Sequence, residues 1–383
     1  MTGQFSHGMV VGKFYPPHRG HQYLISQAAA LCAEVTVLVM AARCETLPLA
    51  ERVSWLQAAC EGQTAITVIG GLCDVPVDFG SEAIWSAQVA VMRAALERSG
   101  RPPVDAVVSS EPYGDELAAR FGVKHACVDP DRTIVPVSAG QIRANLAGCW
   151  DDLLAPAQSG LAARVVLVGA ESTGTSTIAE SLAEEYRRRG GVWTRTRCVT
   201  EAGRDYTITK WQQARSKAAA AGLPDPPLAA LEWTPADFNA VAAEQTRREN
   251  QAAASGSPLL VCDTDAFATS VWERRYLDGH ANGMQPWATT DLPRHDMYLL
   301  TSHEGVPWHD DGLREGDLAV RAAMTGWFER ALTAAGHSWV LLTGSAAERL
   351  ALAVRVADVV LARRAAFGPA ITEDVLAGGG AAR

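Results

Sequence analysis

The sequence predicts an α/β protein of two parallel-sheet domains. Three observations carry this. Strand-like and helix-like runs alternate through the first 150 residues, the alternation restarts at Arg164, and each half opens on a glycine-containing turn between a strand and a helix. With 383 residues, 48% hydrophobic and 20% charged, the chain can build two cores. A net charge of −9 lacks the basic excess of a protein whose main task is gripping nucleic acid. Any positive charge for an anionic ligand must therefore be local. No apolar run reaches the ~18 residues of a membrane span. The N-terminus lacks the apolar core of a secretory signal. A cytoplasmic protein that meets neither membrane nor nucleic acid is expected. The eight cysteines include no C-x-x-C pair, which argues against a zinc knuckle and a disulfide framework.

Strands are expected at Met9–Phe14, Glu34–Met40, Ile66–Ile69, Val104–Ser109 and His125–Val128, with helices over Gln22–Cys32, Leu49–Ala59 and Ala83–Ser99 between them. Such alternation implies a sheet covered on both faces, with ligands beyond the carboxyl ends of its strands. A boundary falls near Pro156–Gly160, giving domains 1–158 and 161–370 and a flexible tail, 371–383. In the second half Arg164–Val168 reads as a strand. A helix follows from Ser176 to Arg189, with Ile178, Leu182 and Tyr186 spaced by four and a cationic last turn before Gly190. Further strands are expected at Pro258–Cys262, Met297–Leu300 and Trp339–Leu342. Lys217–Pro227, rich in Ala and Pro, reads as a loop.

The first turn is Gly12-Lys13-Phe14-Tyr15-Pro16-Pro17-His18-Arg19-Gly20-His21. Histidines three apart at a helix start can point to one side, where free N–H groups and the helix dipole add partial positive charge. Nucleotidyl transfer needs little more, because its nucleophile is already an ionised phosphate. His18 and His21 would donate hydrogen bonds to the charge developing on the leaving oxygen, and Lys13 would add a full charge. Gly12, Phe14 and Gly20 would shape the nucleotide site. Pro136-Val137-Ser138-Ala139-Gly140-Gln141-Ile142-Arg143 offers a second anion clamp through Ser138 and Arg143; a plain surface loop is the alternative.

The first string resembles the H-x-G-H superfamily of nucleotidyltransferases, a Rossmann-like fold. The later segment is similar to its I-S-x-T-x-x-R element, with Gly140 where Thr is usual. Ser109–Gly114 and Val128–Arg132 look like the NMN adenylyltransferase domain of the NadR family.

The second turn, Gly169-Ala170-Glu171-Ser172-Thr173-Gly174-Thr175-Ser176, matches G-x-x-x-x-G-K-[ST] except that Thr175 stands where the lysine belongs. Its amides, and Thr177 beyond, suit an ATP phosphate chain, and the Ser176 hydroxyl suits Mg²⁺. What is missing is the cation that neutralises a transferring phosphoryl group. Leu259–Asp265 is an apolar strand ending in Asp263 and Asp265, and Trp308–Arg314 suits a mobile lid. A capped strand end and a solvated loop are the plain alternatives. With Thr200–Tyr206, these segments resemble the ribosylnicotinamide kinase domain of NadR proteins, a P-loop kinase. The resemblance spans residues 8 to 350, and the helix-turn-helix repressor domain of some members has no counterpart here.

The resemblance implies a NAD salvage enzyme. It would phosphorylate nicotinamide riboside with ATP and Mg²⁺, and join NMN to AMP from a second ATP. Asp263 is the metal or substrate ligand and Asp265 the acceptor of the riboside hydroxyl proton, with exchange of the two roles open. Glu201 and Arg204 would touch the riboside or phosphates, with a surface ion pair as the alternative. Trp85 is a stacking candidate for the nicotinamide ring, with a core role as its rival. Arg314, Arg204 and Arg274 are the candidates to replace the lost lysine. The rival readings are a monofunctional adenylyltransferase whose second domain only binds nucleotide, a nucleotide-sensing regulator, and a different acceptor such as phosphopantetheine or a nucleotide-sugar precursor. A homo-oligomer is compatible with all of these.

Overall fold

The computed structural model describes residues 4–277, 295–308 and 317–370. The chain divides into two compact units. The first is Met1–Leu161 with Ala365–Arg383, and the second is Ala162–Arg364. Residues 365–370, expected with the second domain, group with the first.

The first unit runs β1 (Phe5–Gly12), α1 (Arg19–Leu31), β2 (Cys32–Ala41), α2 (Leu49–Ala59), β3 (Ile66–Leu72), α3 (Glu82–Arg98), β4 (Ala106–Ser109), α4 (Tyr113–Phe121), β5 (Lys124–Cys127), α5 (Ala139–Ala144) and α6 (Ala155–Leu161). Its five strands are all parallel, in the order β3-β2-β1-β4-β5. Strand order reverses beside β1, and α1 begins there, which is where an open parallel sheet is expected to take a ligand. Central strands in a doubly covered sheet are apolar throughout. Met9, Val10, Val35, Val37, Leu38, Val107 and Val108 accordingly have no exposed surface.

The second unit continues with β6 (Ala163–Gly169), α7 (Thr175–Arg187), β7 (Arg197–Val199), α8 (Ala202–Ala220), α9 (Pro235–Ala253), β8 (Leu259–Asp263), α10 (Ala266–Tyr276), β9 (Met297–Thr301), α11 (Leu318–Ala334), β10 (Trp339–Leu342) and α12 (Ala346–Arg364). Its parallel sheet has the order β10-β9-β6-β8-β7. Ile178, Leu182 and Tyr186 of α7 pack with β6 and α12 in one apolar cluster, as their spacing predicts. Two details differ from expectation. The edge strand β7 is too short to show a periodicity. Lys217–Ala220 continues α8, because alanine favours helix once a helix is under way.

Candidate active sites

In the first unit His18 is the N-cap of α1. Its Nδ1 accepts from the Gly20 N–H at 3.2 Å, and the Nδ1 of His21 accepts from the His18 N–H at 3.2 Å. This reciprocal box is built from two imidazoles whose centroids lie 3.7 Å apart. A backbone N–H can only donate, so both Nδ1 atoms are unprotonated and the ring proton sits on Nε2. Burial, then the Arg132 charge, lowers the His18 pKa to about 4. Burial, then His18, then Arg132 hold His21 well below its ordinary value. Two neutral rings with Nε2–H donors therefore stand at the start of α1. Gly20 lets them approach: a Cβ there would lie 3.0–3.1 Å from the His18 ring. Phe14, buried at a φ of 47°, packs its ring 4.7 Å from His21 and against Gly12.

Lys13 is part of a charge cluster that the sequence reading missed. Its Nζ donates to Glu45 Oε1 at 2.7 Å, and Arg52 Nη1 donates to Glu45 Oε2 at 2.8 Å. Glu45 and Arg52 side chains are fully buried, and these two cations with one carboxylate leave one net positive charge. Arg143 Nη1 donates to the Tyr15 carbonyl at 2.6 Å. The Tyr15 ring faces Arg52 at 4.4 Å and Arg143 at 4.9 Å. The Ser138 hydroxyl is engaged in the capping box of α5 with Gln141. The stacking role expected of Trp85 is corrected: its ring is 5% exposed, belongs to the core cluster and donates Nε1–H to the Phe79 carbonyl at 3.2 Å.

In the second unit the glycine-containing turn joins β6 to α7 with left-handed residues at Ser172 (φ 58°) and Gly174 (φ 85°). Thr175 does not simply leave a gap. Its hydroxyl lies 3.2 Å from that of Thr173 and 3.0 Å from that of Thr301, which in turn are 2.6 Å apart. Only glycine fits at 169, since a Cβ would meet Thr301 Oγ1 at 2.1 Å. Two buried arginines clasp the loop from behind. Arg321 donates to the carbonyls of Glu171 (3.1 Å), Ser172 (2.9 Å) and Val306 (2.9 Å). Arg349 donates to those of Thr173 (3.2 Å), Ser302 (2.9 Å), Glu304 (3.0 Å) and Gly344 (2.9 Å). Holding these oxygens fixes the path of the loop backbone. Glu171 pairs with Arg275 at 2.9 Å.

The turn opens on a cavity of about 860 Å³ lined by Gly169–Ser172, Gly174–Thr177, Glu201, Arg204 and Asp263. Trp233, Phe238, Trp272 and Tyr276 line it as well. The Trp233 ring lies 5.4 Å from Phe238 and 5.5 Å from Tyr276. These aromatics come from α9, α10 and the loop before them; nothing in their spacing marks them as a group. Asp265 is corrected. It is fully buried, caps α10 through the Ala268 N–H at 2.8 Å, accepts from Tyr298 at 2.6 Å, and does not line the cavity. Of the two aspartates, Asp263 lines it. Arg274 stacks on Trp327 at 4.9 Å instead of lining the cavity. Arg314 lies outside the described residues, as does most of the expected lid. Among the described residues, no group of three or more His, Cys, Asp or Glu side chains forms a metal site. No helix there is long and apolar enough to cross a membrane.

A family model described as an AAA domain matches residues 164–349. The trifunctional NAD biosynthesis/regulator protein NadR of Salmonella typhimurium is 24% identical over 80% of this chain and 71% of its own length. A nicotinamide-nucleotide adenylyltransferase of Methanoculleus marisnigri is 29% identical over 40% of this chain and 87% of its own. Crystal structures of NadR with NR, and with NAD and AMP-PNP, share the fold at TM-scores of 0.60 and 0.59 and 18% and 19% identity. Each match covers 94% of this chain and 97% of the other.

Proposed function

We propose that this chain, a homologue of the NadR proteins, is a bifunctional enzyme of NAD salvage. The second unit phosphorylates nicotinamide riboside to NMN with ATP. The first transfers AMP from another ATP to NMN, giving NAD and pyrophosphate. The observation that carries the reading is the pair of neutral imidazoles capping α1 at the carboxyl end of β1.

In the first unit a phosphate oxygen of NMN attacks the α-phosphorus of ATP, and the bond to the bridging oxygen breaks as pyrophosphate departs. The His18 and His21 Nε2–H groups donate to the charge that builds on the departing side, without giving up their protons. Lys13 and Arg143 add positive charge along the triphosphate, and the reach of Lys13 is set by Glu45.

In the second unit the loop amides hold the ATP phosphates. The Ser176 hydroxyl and the Asp263 carboxylate both line the cavity and are hard oxygen donors of the kind Mg²⁺ accepts together with phosphate oxygens. Mg²⁺ bound there would neutralise phosphate charge. The aromatic walls suit the pyridinium ring of the riboside, a flat cation, which adds cation–π attraction to stacking. Arg321 and Arg349 fix the loop whose lysine is replaced.

Purified protein given nicotinamide riboside, ATP and Mg²⁺ should produce both NMN and NAD, resolved by chromatography. Neither product would sink the reading. Thr175 favours a second reading, an adenylyltransferase whose other unit only binds nucleotide. NAD formed from supplied NMN but never from the riboside, with phosphorylation appearing in Thr175→Lys, selects that one.

A further inference from the structure

The chain leaves the second unit at Arg364, and its next residues join the first. They settle on the loop that precedes His18. The Tyr15 hydroxyl donates to the Gly368 carbonyl at 2.9 Å, and the Phe367 ring meets the Tyr15 ring edge-on at 5.8 Å. Gly368 N–H is bonded to the Thr46 hydroxyl, and the Thr46 N–H donates to the Tyr15 hydroxyl at 3.0 Å. A side chain at 368 would press on the Cys44 carbonyl and the Thr46 hydroxyl at 3.1 Å, so the fit is close on both sides.

Tyr15 links these residues to the site. Its ring lies against both Arg52 and Arg143, and its carbonyl holds Arg143. Residues 44–47 carry Glu45, the carboxylate that sets Lys13, and the Leu47 carbonyl, which receives Arg52 at 2.6 Å. Residues 365–370 thus touch both segments that place the cations. None of their side chains is ionisable, so they act by position alone.

We infer that residues 365–370, through Phe367 and Gly368, are positioning residues of the adenylyl-transfer site: a strap that fixes Tyr15 and so the placement of Arg143 and Lys13 toward the ATP triphosphate. The inference rests on the adenylyltransferase reading of the first unit. It assigns to the end of the chain a role in the chemistry of its beginning.

The test compares the full chain with chains ending at Arg364 and at Ala370, and with Phe367→Ala and Phe367→Tyr. Loss of the Gly368 bond and the Phe367 packing should raise the KM for ATP in NAD formation about fivefold or more. The Arg364-ended chain and Phe367→Ala should show this, with a smaller change in kcat. The Ala370-ended chain and Phe367→Tyr should match the full chain. Riboside phosphorylation should be unchanged throughout, which separates the effect from general misfolding. An unchanged KM in the Arg364-ended chain, or an equal fall in both activities, overturns the strap. Failure of the full chain to make NAD from NMN defeats the adenylyltransferase reading instead. In that event hydrogen exchange still decides the contact: residues 42–47 should lose protection when the chain ends at Arg364, and unchanged protection refutes it.

Discussion

At the scale of single residues, the imidazole pair ties the proposed chemistry to folding. The native His18 pKa of about 4 lies below its ordinary value of 6.5. Between those values the unfolded chain binds a proton that the native chain does not, so stability rises with pH across this window and falls as pH drops through it. The shift corresponds to about 3 kcal/mol at most. Between pH 7.5 and 4.5 the melting transition of the first unit should fall less in His18→Asn than in the native protein; parallel curves in calorimetry would contradict this. Gly20→Ala tests the geometry, since its Cβ must move the His18 ring. NAD formation from NMN should fall about tenfold or more, with riboside phosphorylation intact. The sequence made the two histidines legible because strand, motif and helix are consecutive. It hid Glu45 and Arg52, which reach Lys13 from 32 and 39 residues away. It also presented Asp263 and Asp265 as equals, although the strand end turns one toward the cavity and buries the other as a helix cap.

Among elements, the glycine-rich turn of the second unit is governed by what lies behind it. Arg349 is 2% exposed, and burial pulls its pKa down, with the Arg321 charge adding to this. Its four carbonyl partners make it an anchor between the turn, the end of β9 and the start of α12. Arg349→Met would leave those carbonyls without their donor and should destabilise the second unit by about 1–3 kcal/mol for each acceptor that stays unpaired, read as a lower melting transition for that unit alone. Arg321→Gln removes the charge beside Glu171 and Ser172 while leaving a hydrogen-bonding side chain. The KM for ATP in riboside phosphorylation should rise about tenfold, and Arg321→Lys should recover part of it. Neither arginine was legible in the sequence. They lie 150 and 176 residues from the loop carbonyls they hold, on helices whose patterns mark only packing. The helix after the turn was legible for the opposite reason, because its apolar spacing is local.

Across the whole molecule, two parallel sheets each carry a glycine-containing turn between a central strand and a helix, and the restart of alternation at residue 164 is what makes the second sheet legible. If the units perform successive reactions, blocking the second reaction should leave the first running. His21→Ala supplied with riboside and ATP should accumulate NMN and form little NAD, whereas Asp263→Asn should make NAD only when NMN is added; the opposite pattern would reverse the assignment of units. The way the chain closes has a further consequence during its synthesis. Tyr15 and Gly368 are 353 positions apart. At roughly 5–20 residues per second, the ribosome makes Tyr15 roughly 20–70 s before the partner that pins its hydroxyl. The first unit can collapse around its sheet in that interval, but Tyr15 gains its bond to Gly368 only after the second unit has been translated.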